Sequence, residues 1–245
     1  GTFTCGITPE EQVVCWGGIG GNLDGRFVQI SAGLDHACAV ALSGHVECMG
    51  RNSRGEASPP ALAQIASDGE RFIQVSAGKS HSCALTNKGT VHCWGSNDKG
   101  QCDVPRLRQE HDDDDDDDDD DSAGHIAFRQ VVASYGKYSC GLELATGYAR
   151  CWGQSKRNAA ATPPEGVSFI SIAAGKKFTC GLREQDGGVE CWGRIANSPT
   201  TDGPFTQLSA GEDHACVTTM DGELRCWGLG TYSKTATPDQ LVVLD

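Results

Sequence analysis

Residues 72–95 read FIQVSAGKSHSCALTNKGTVHCWG, and this segment decides the fold because variants of it occur six times along the chain. In every copy a first cysteine is followed ten or eleven residues later by a second, which opens Cys-Trp-Gly five times and Cys-Met-Gly once. The pairs are Cys5 and Cys15, Cys38 and Cys48, Cys83 and Cys93, Cys140 and Cys151, Cys180 and Cys191, and Cys216 and Cys226. Such self-similarity predicts an array of units, each of which buries its apolar face against its neighbours.

Each copy is predicted to form three β-strands, joined first by a tight turn and then by a hairpin turn. Alternating and β-branched residues flank the turn at Asn87-Lys88-Gly89, and no long stretch has a helical period. Counting outward from Lys88 predicts that Cys83 faces Cys93 and that Leu85 faces Val91. Copies with the eleven-residue spacing need one more residue in the hairpin loop.

The six cysteine pairs are predicted to form six disulfides, one in each hairpin. Facing residues of a non-hydrogen-bonded antiparallel pair have Cα atoms about 4.5 Å apart, which is within disulfide reach. Free thiols are the alternative. A zinc site is disfavoured because no copy has the short Cys-x-x-Cys spacing. Cys102 is left unpaired, either free, bonded to another chain, or bonded to a cysteine outside this sequence.

Disulfides persist in secreted and surface proteins and are rare in the cytosol and nucleus, so the pairing predicts an extracellular or cell-surface protein. The sequence contains no initiator methionine, no signal peptide and no apolar run long enough to span a bilayer. These features fit a processed protein or a fragment of a longer one. Direct membrane insertion by this chain is therefore not expected.

The repeat resembles that of the regulator of chromosome condensation family. The resemblance rests on Val-Ser-Ala-Gly-x-x-His-x-Cys-Ala-Leu at 75–85, Gly-x-Val-x-Cys-Trp-Gly at 89–95 and Asn-Asp-Lys-Gly-Gln at 97–101, and it covers nearly the whole chain outside residues 103–125. The double-cysteine version is similar to repeats in Crinkly-type receptor ectodomains and in secreted microbial proteins. It implies an all-β fold, a β-propeller of four-stranded blades. The family most often has seven blades, whereas six hairpins are present here.

We expect residues 1–245 to form one propeller domain of six blades. The first hairpin lacks the strand that precedes every other hairpin, and Leu241–Leu244 resembles that missing strand. Pairing the C-terminal strand with the N-terminal hairpin would close the ring and protect its edges. Seven blades remain the alternative if the chain is a fragment.

An acidic insertion between blades, residues 103–125, contains ten consecutive aspartates. The formal net charge of −13 would be −3 without them. Like charges repel each other and bury no apolar surface, so a disordered, solvated loop is expected. A loose cation site, with Asp112, Asp116 and Asp121 as candidate ligands, is the weaker alternative because ordered calcium loops alternate ligands with turn residues.

Histidines and tryptophans recur at fixed repeat positions, which favours structural roles. His36, His81 and His214 stand two residues before a cysteine, where Tyr138 and Phe178 stand in other copies. A catalytic or metal-binding residue would not be repeated around a ring and exchanged for an aromatic residue. The five tryptophans all follow the second cysteine, and we expect them to pack in the blade core against the disulfides.

No catalytic motif is present at a meaningful spacing, so no catalytic residue, enzyme activity or cofactor is predicted. Nucleic-acid binding is disfavoured because the chain is acidic and its basic residues are scattered along the sequence. Three functions remain. The first is an extracellular module that binds protein partners, the second a building block of an extracellular or surface assembly containing other chains, and the third, the weakest, a carbohydrate-binding propeller.

Overall fold

A computed structural model describes residues 3–19, 22–62, 69–106, 126–154, 160, 162–195 and 203–228, in which all the regular elements are β-strands. The predicted closing strand at 241–244, most of the acidic insertion and the candidate cation ligands Asp112, Asp116 and Asp121 lie outside these residues. The strands are β1 (Phe3–Ile7), β2 (Val13–Gly17), β3 (Phe27–Ala32), β4 (His36–Ala41), β5 (Val46–Gly50), β6 (Phe72–Ala77), β7 (His81–Thr86), β8 (Val91–Gly95), β9 (Phe128–Ala133), β10 (Tyr138–Glu143), β11 (Ala149–Gly153), β12 (Phe169–Ala174), β13 (Phe178–Arg183), β14 (Val189–Gly193), β15 (Phe205–Ala210), β16 (His214–Thr219) and β17 (Leu224–Gly228).

The strands form six antiparallel sheets that follow the repeats. Sheet 1 consists of β1 and β2, and sheets 2 to 6 each contain the next three strands in chain order. The predicted hairpin register is confirmed, since Cys83 faces Cys93 and Leu85 faces Val91. Each of the six hairpins contains one disulfide, with Cα atoms 4.0–4.1 Å apart.

Sheets 2 to 6 have three described strands each, and sheet 1 has two, rather than the four that were expected. Side-chain hydrogen bonds instead organise the segment that follows the third strand. In sheet 2, the Ala57 amide donates to Asn52 Oδ1 over 3.0 Å, and the Arg54 amide donates to Glu56 Oε2 over 2.6 Å. Such local bonds compete with strand pairing for the backbone groups.

Consecutive sheets pack side by side in a propeller-like order, with the first strand of each sheet against the first strand of the next. The apolar core lies between them: Cys38, Val40 and Val46 of sheet 2 pack with Phe72 and Trp94 of sheet 3. Corresponding clusters lie between sheets 3 and 4, 4 and 5, and 5 and 6. Each sheet therefore depends on a neighbour to bury its apolar side chains.

A glutamine on the first strand fastens one sheet to the next. Gln29 of sheet 2 accepts a hydrogen bond from the Val75 amide over 2.8 Å and donates to the Val75 carbonyl over 3.0 Å. Gln130 of sheet 4 makes the same two bonds with Ile172 of sheet 5, over 2.8 and 3.0 Å. The side chain thus replaces a strand partner for backbone groups that would otherwise be unpaired.

The repeated histidine or tyrosine makes a second link between sheets. His81 Nε2 lies 2.9 Å from Ser139 Oγ of the next sheet, and that hydroxyl donates to the Gln101 carbonyl over 2.8 Å. Since the hydroxyl proton is used in this way, His81 Nε2 must carry the proton that is donated to Ser139. His36 and Ser82 make the equivalent contact at 2.8 Å, and Tyr138 Oη bonds the Phe178 carbonyl at 2.5 Å. The structural role predicted for these positions is confirmed.

Four tryptophans are buried as predicted, but the prediction is wrong for Trp16. Trp94, Trp152, Trp192 and Trp227 are 6–9% exposed, whereas Trp16 is 58% exposed. Trp94 donates its indole N–H to the Glu56 carbonyl, and Trp152 donates to the Gln101 carbonyl, both over 3.0 Å. Both acceptors belong to the segment that follows the preceding sheet, and no described sheet comes before sheet 1 to supply one to Trp16.

The glycine of each Cys-Trp-Gly or Cys-Met-Gly motif has a φ between +94° and +122°. A side chain is disfavoured at such a φ, and in sheets 2 to 6 it would also collide with the tight turn of the same sheet. At Gly153, a Cβ atom would lie 2.6 Å from the Lys137 carbonyl oxygen. The glycine therefore lets the chain pass close to that turn.

We expect Gly153→Ala to destabilise the protein by about 3 kcal/mol or more, because backbone strain and a collision add. Gly166→Ala is the matched control, since Gly166 has a φ of +71° but no neighbouring atom within 4 Å of the added Cβ. That control should cost about 1–2 kcal/mol. Denaturant unfolding with the disulfides intact measures both losses. Equal losses would contradict the role assigned to the close approach.

The buried histidines make stability depend on pH. Burial lowers the pKa of His81 from 6.5 to about 4, and it also lowers the pKa of His36. The unfolded chain therefore binds protons first, so stability is complete above pH 6.5 and is lost as the pH falls towards 4. For His81 the loss should be about 3 kcal/mol. Unfolding free energies measured from pH 7.5 to 4 should fall accordingly, and less steeply in His81→Gln. An equal slope in the two proteins would contradict the role assigned to His81.

Candidate functional site

Two kinds of turn meet at one end of the sheets. One is the tight turn between the first and second strands, and the other is the segment directly after the third strand. Backbone hydrogen bonds join them in the same way in sheets 2 to 5. The Arg51 amide, for example, donates to the Asp35 carbonyl over 2.8 Å, and the Arg194 amide donates to the Lys177 carbonyl over 2.7 Å. Side chains at these positions are thereby brought to a common face.

These turns surround a pocket of about 610 Å³, which we call the mouth. Its lining is made of residues from sheets 2 to 5 and the segments that follow them, and seven of the side chains are basic. The basic residues are Arg51, Arg54, Lys79, Lys137, Lys176, Lys177 and Arg194, and the other lining residues are Leu34, Ser80, Tyr135, Gly136 and Gln154. No acidic residue lines the mouth among those the structure describes.

Three of the basic side chains are paired with carboxylates beside the mouth. Lys137 Nζ lies 2.6 Å from Asp98, Lys176 Nζ lies 2.6 Å from Glu212, and Arg51 lies 3.4 Å from Asp35. The hydrogen bond from Lys137 lowers the pKa of Asp98, and the bond to Glu212 raises the pKa of Lys176. Asp98 and Lys176 therefore remain charged over the physiological range.

The other four basic side chains have no such partner. In the described parts of the chain, no carboxylate lies within 4.0 Å of the charged groups of Arg54, Lys79, Lys177 or Arg194. Arg54 Nη1 donates to Ser96 Oγ over 3.2 Å. The mouth thus has positive charge that its immediate surroundings do not neutralise.

Tyr135 spans the inner ends of the sheets within this site. Its hydroxyl lies 3.5 Å from the carbonyl oxygens of Ala32 and Gly33, although it belongs to sheet 4 and they belong to sheet 2. Burial, and then the nearby charge of Glu212, raise the pKa of Tyr135. Together with Leu34, it gives the mouth an apolar surface among the basic groups.

The sequence suggested that the basic residues are scattered, but seven of them lie close together in the folded protein. They are dispersed in the sequence, yet the repeat brings seven of them to one site, because each lies either in a tight turn or in the segment that follows a third strand. The signal was available: Lys79, Lys176 and Lys177 follow the lead-in glycine, and Arg194 directly follows a Trp-Gly pair. Reading the repeat positions as one face would have revealed the cluster.

Cys102 has the properties of a protected thiol. Its Sγ donates to the Ser96 carbonyl over 3.5 Å, and the residue is partly buried. Burial, followed by the charge of Asp103, raises the pKa of Cys102 to about 12. At neutral pH the group is therefore a thiol rather than the reactive thiolate.

Within the described ranges, no group of three histidine, cysteine or acidic side chains is arranged to hold a metal ion. The same ranges contain no helix that is long and apolar enough to cross a membrane. Exposed apolar side chains lie near the strand ends opposite the mouth, including Val28, Leu42, Ile73 and Leu144.

Three segments of the chain, residues 27–56, 72–101 and 205–233, match the family model for the regulator of chromosome condensation (RCC1) repeat. These are sheets 2, 3 and 6 with the segments that follow them. Comparison with curated proteins found no match.

Solved structures share the fold over nearly the whole chain. The ectodomain of the receptor kinase CR4 from Physcomitrella patens is 26% identical, with a TM-score of 0.70 over 94% of this chain and 59% of its own length. The CRINKLY WD40 ectodomain of the Arabidopsis thaliana receptor kinase ACR4 is 23% identical, with a TM-score of 0.71 over 96% and 80%. Prp20p from Saccharomyces cerevisiae is 17% identical, with a TM-score of 0.67 over 93% and 70%. The chain therefore spans less than two thirds of the CR4 ectodomain.

Proposed function

We propose that this chain, three segments of which match the model of the regulator of chromosome condensation repeat, is a non-enzymatic, extracellular or cell-surface module that binds a protein partner at the mouth. The observation that carries the proposal is the mouth itself: a concave site of about 610 Å³ with seven basic side chains on a disulfide-bonded scaffold. Concave sites with a few converging polar groups are the usual places of binding.

Two observations support the compartment. Disulfides in all six hairpins require an oxidising environment to persist. The CR4 ectodomain, 26% identical, is the outer part of a receptor kinase. Prp20p, whose binding to Gsp1p and histones is the subject of its structure, is similar at a level that speaks for the fold alone.

Binding rather than catalysis is supported by the state of the histidine and cysteine side chains. His36 and His81 are occupied in hydrogen bonds between sheets, and Cys102 is held as a thiol. The basic side chains of the mouth, by contrast, are directed to a surface that a partner can reach. Fixed positive groups of this kind attract and orient a ligand without requiring a reaction.

A building block of an extracellular assembly is the alternative function. A covalent link through Cys102 would be its simplest form, and the high pKa and partial burial of that thiol disfavour it. The carbohydrate-binding alternative needs exposed aromatic side chains, and Trp16 is the candidate, being 58% exposed. The exposure of Trp16 is also explained without a carbohydrate ligand if a further strand of the chain covers sheet 1.

We infer that residues 1–245 form one six-bladed ring in which Leu241–Leu244 pairs with β1 and covers sheet 1. Sheet 1 is two-stranded in the described part of the chain, and Val14 and Trp16 are 47% and 58% exposed. In sheets 2 to 6 a first strand precedes the hairpin, and the apolar sequence Leu-Val-Val-Leu at 241–244 supplies an equivalent. The exposure of Trp16 is then a property of an unpaired edge.

Removing residues 240–245 should expose the backbone of β1, because its outer amides would lose their partners. Hydrogen exchange, read by mass spectrometry, should become faster in Phe3–Ile7 of the truncated chain and remain slow in β7, which serves as the internal control. The same exchange rate in both chains at Phe3–Ile7 would contradict this closure and leave the seven-bladed alternative.

The proposed function is tested by photo-crosslinking on intact cells of the source organism. A photoreactive residue is placed at Ser80 in the mouth or, as the matched control, at Leu42 near the opposite strand ends, and the purified protein is added outside the cells. We expect a discrete protein adduct from position 80 that is absent at position 42. No adduct at position 80, or one formed only with carbohydrate, would overturn the proposal.

A further inference from the structure

The mouth is a site of concentrated positive charge on an acidic protein. The chain has 20 basic and 33 acidic residues, with a formal net charge of −13, yet seven basic residues line one pocket. Desolvation inside a concave site strengthens the interaction between charges relative to an open surface. The mouth is therefore suited to a negatively charged ligand.

The basic side chains that have no carboxylate partner among the described residues come from different sheets. Lys79 belongs to the tight turn of sheet 3, Lys177 and Arg194 belong to sheet 5, and Arg54 follows sheet 2. Their charged groups are thus supplied from several sides of the same pocket. This arrangement fits several anionic groups on one short ligand rather than a single ion.

We infer that the mouth binds a short acidic segment of a protein partner, with aspartate or glutamate carboxylates at Arg54, Lys79, Lys177 and Arg194. Guanidinium and ammonium groups form charge-assisted hydrogen bonds to carboxylates, and arginine can do so with two parallel bonds. This inference rests on the proposed function, because it names the chemistry of the partner bound at that site.

A long polyanion fits the surroundings of the mouth less well. Asp35, Asp98 and Glu212 stand beside the pocket without lining it, and each is 33–45% exposed. A nucleic acid or sulfated polysaccharide that extended beyond the mouth would meet these carboxylates and the negative field of the whole chain. A short acidic segment of a protein carries negative charge only in the part that lies inside the mouth, so it avoids these carboxylates.

The apolar part of the lining points to a peptide as well. Leu34 and the ring of the half-buried Tyr135 lie among the basic groups. Polypeptide segments combine carboxylates with apolar side chains and backbone groups, and an aromatic ring contacts the latter two. Sites that recognise acidic motifs through clustered basic residues are a known mode of peptide binding.

Isothermal titration calorimetry of the full chain tests the inference directly. The probe is a blocked hexapeptide of alternating glutamate and aspartate, and its control is the same peptide made of glutamine and asparagine. We expect binding of the acidic peptide that weakens as salt is added, and no binding of the neutral one. Equal binding of both peptides, or binding of neither, would overturn the inference.

Variants of the mouth separate a specific site from general attraction. Each of Arg54→Gln, Lys79→Gln, Lys177→Gln and Arg194→Gln should raise the Kd about two- to fivefold, since each removes one partly exposed charged contact. Lys88→Gln is the charge-matched control, because Lys88 lies in the hairpin turn at the opposite end of sheet 3. A similar loss in Lys88→Gln would show attraction without a site and would overturn the inference.

A variant that is expected to bind the acidic peptide more tightly shows that weaker binding by the other variants is not caused by unfolding. Asp98→Asn keeps an oxygen that can accept the bonds from Ser96 and Gln101 but removes the charge that pairs with Lys137. We expect it to bind the acidic peptide about two- to fivefold more tightly. A damaged fold would weaken binding instead, and unchanged or weaker binding by a folded Asp98→Asn protein would count against the inference.

A heparin-derived hexasaccharide and a single-stranded DNA hexamer complete the test. If either binds more tightly than the peptide and loses affinity in the four mouth variants, the ligand is that polyanion and the inference is wrong. The crosslinking outcome then separates the two levels of proposal. A protein adduct at position 80 without binding of the acidic peptide leaves the proposed function standing and removes only the assignment of an acidic ligand.

Discussion

In sheets 2 to 5, the backbone hydrogen bond between the residue after the Cys-Trp-Gly or Cys-Met-Gly motif and the tight turn of the same sheet is the constraint on which the rest of the structure depends. It holds the end of the third strand against the turn, as between Gln154 and Lys137 over 2.9 Å. Glycine is required because a Cβ would strike the turn. The same contact places the basic side chains around the mouth, so one backbone geometry serves both fold and site.

Contacts between sheets then convert separate hairpins into one body. The disulfides act within hairpins, whereas Gln29, Gln130 and the histidine or tyrosine links act across sheet boundaries. Each link satisfies buried backbone or hydroxyl groups, whose loss would leave unpaired polar atoms in the core. Interactions within hairpins and interactions between sheets therefore have different effects. The hairpins set the register, and the links set the order of the sheets.

Most of the fold could be predicted from the sequence because it follows local rules. The cysteine spacing determined which residues face each other, and the repeated aromatic positions indicated packing. The exposure of Trp16 could not be predicted, since it depends on whether another strand lies beside sheet 1. The mouth was missed for a related reason. Its basic residues are far apart in sequence, and only the superposition of repeats shows that they share a face.

The links between sheets are not uniform, and the variation has a mechanical consequence. Sheet 5 has Ser171 where sheets 2, 3 and 4 have the fastening glutamine, so its boundary with sheet 6 lacks that bond. An apolar cluster, the backbone hydrogen bond from Lys176 to the Glu212 carbonyl over 2.8 Å, and the partly exposed ion pair between the same two residues hold this boundary instead. Ion pairs of this kind weaken as salt screens them. This boundary should therefore deform more easily than the others. Because Lys176 also lines the mouth, ionic strength would act on the contact between sheets 5 and 6 and on the charge of the pocket at the same place.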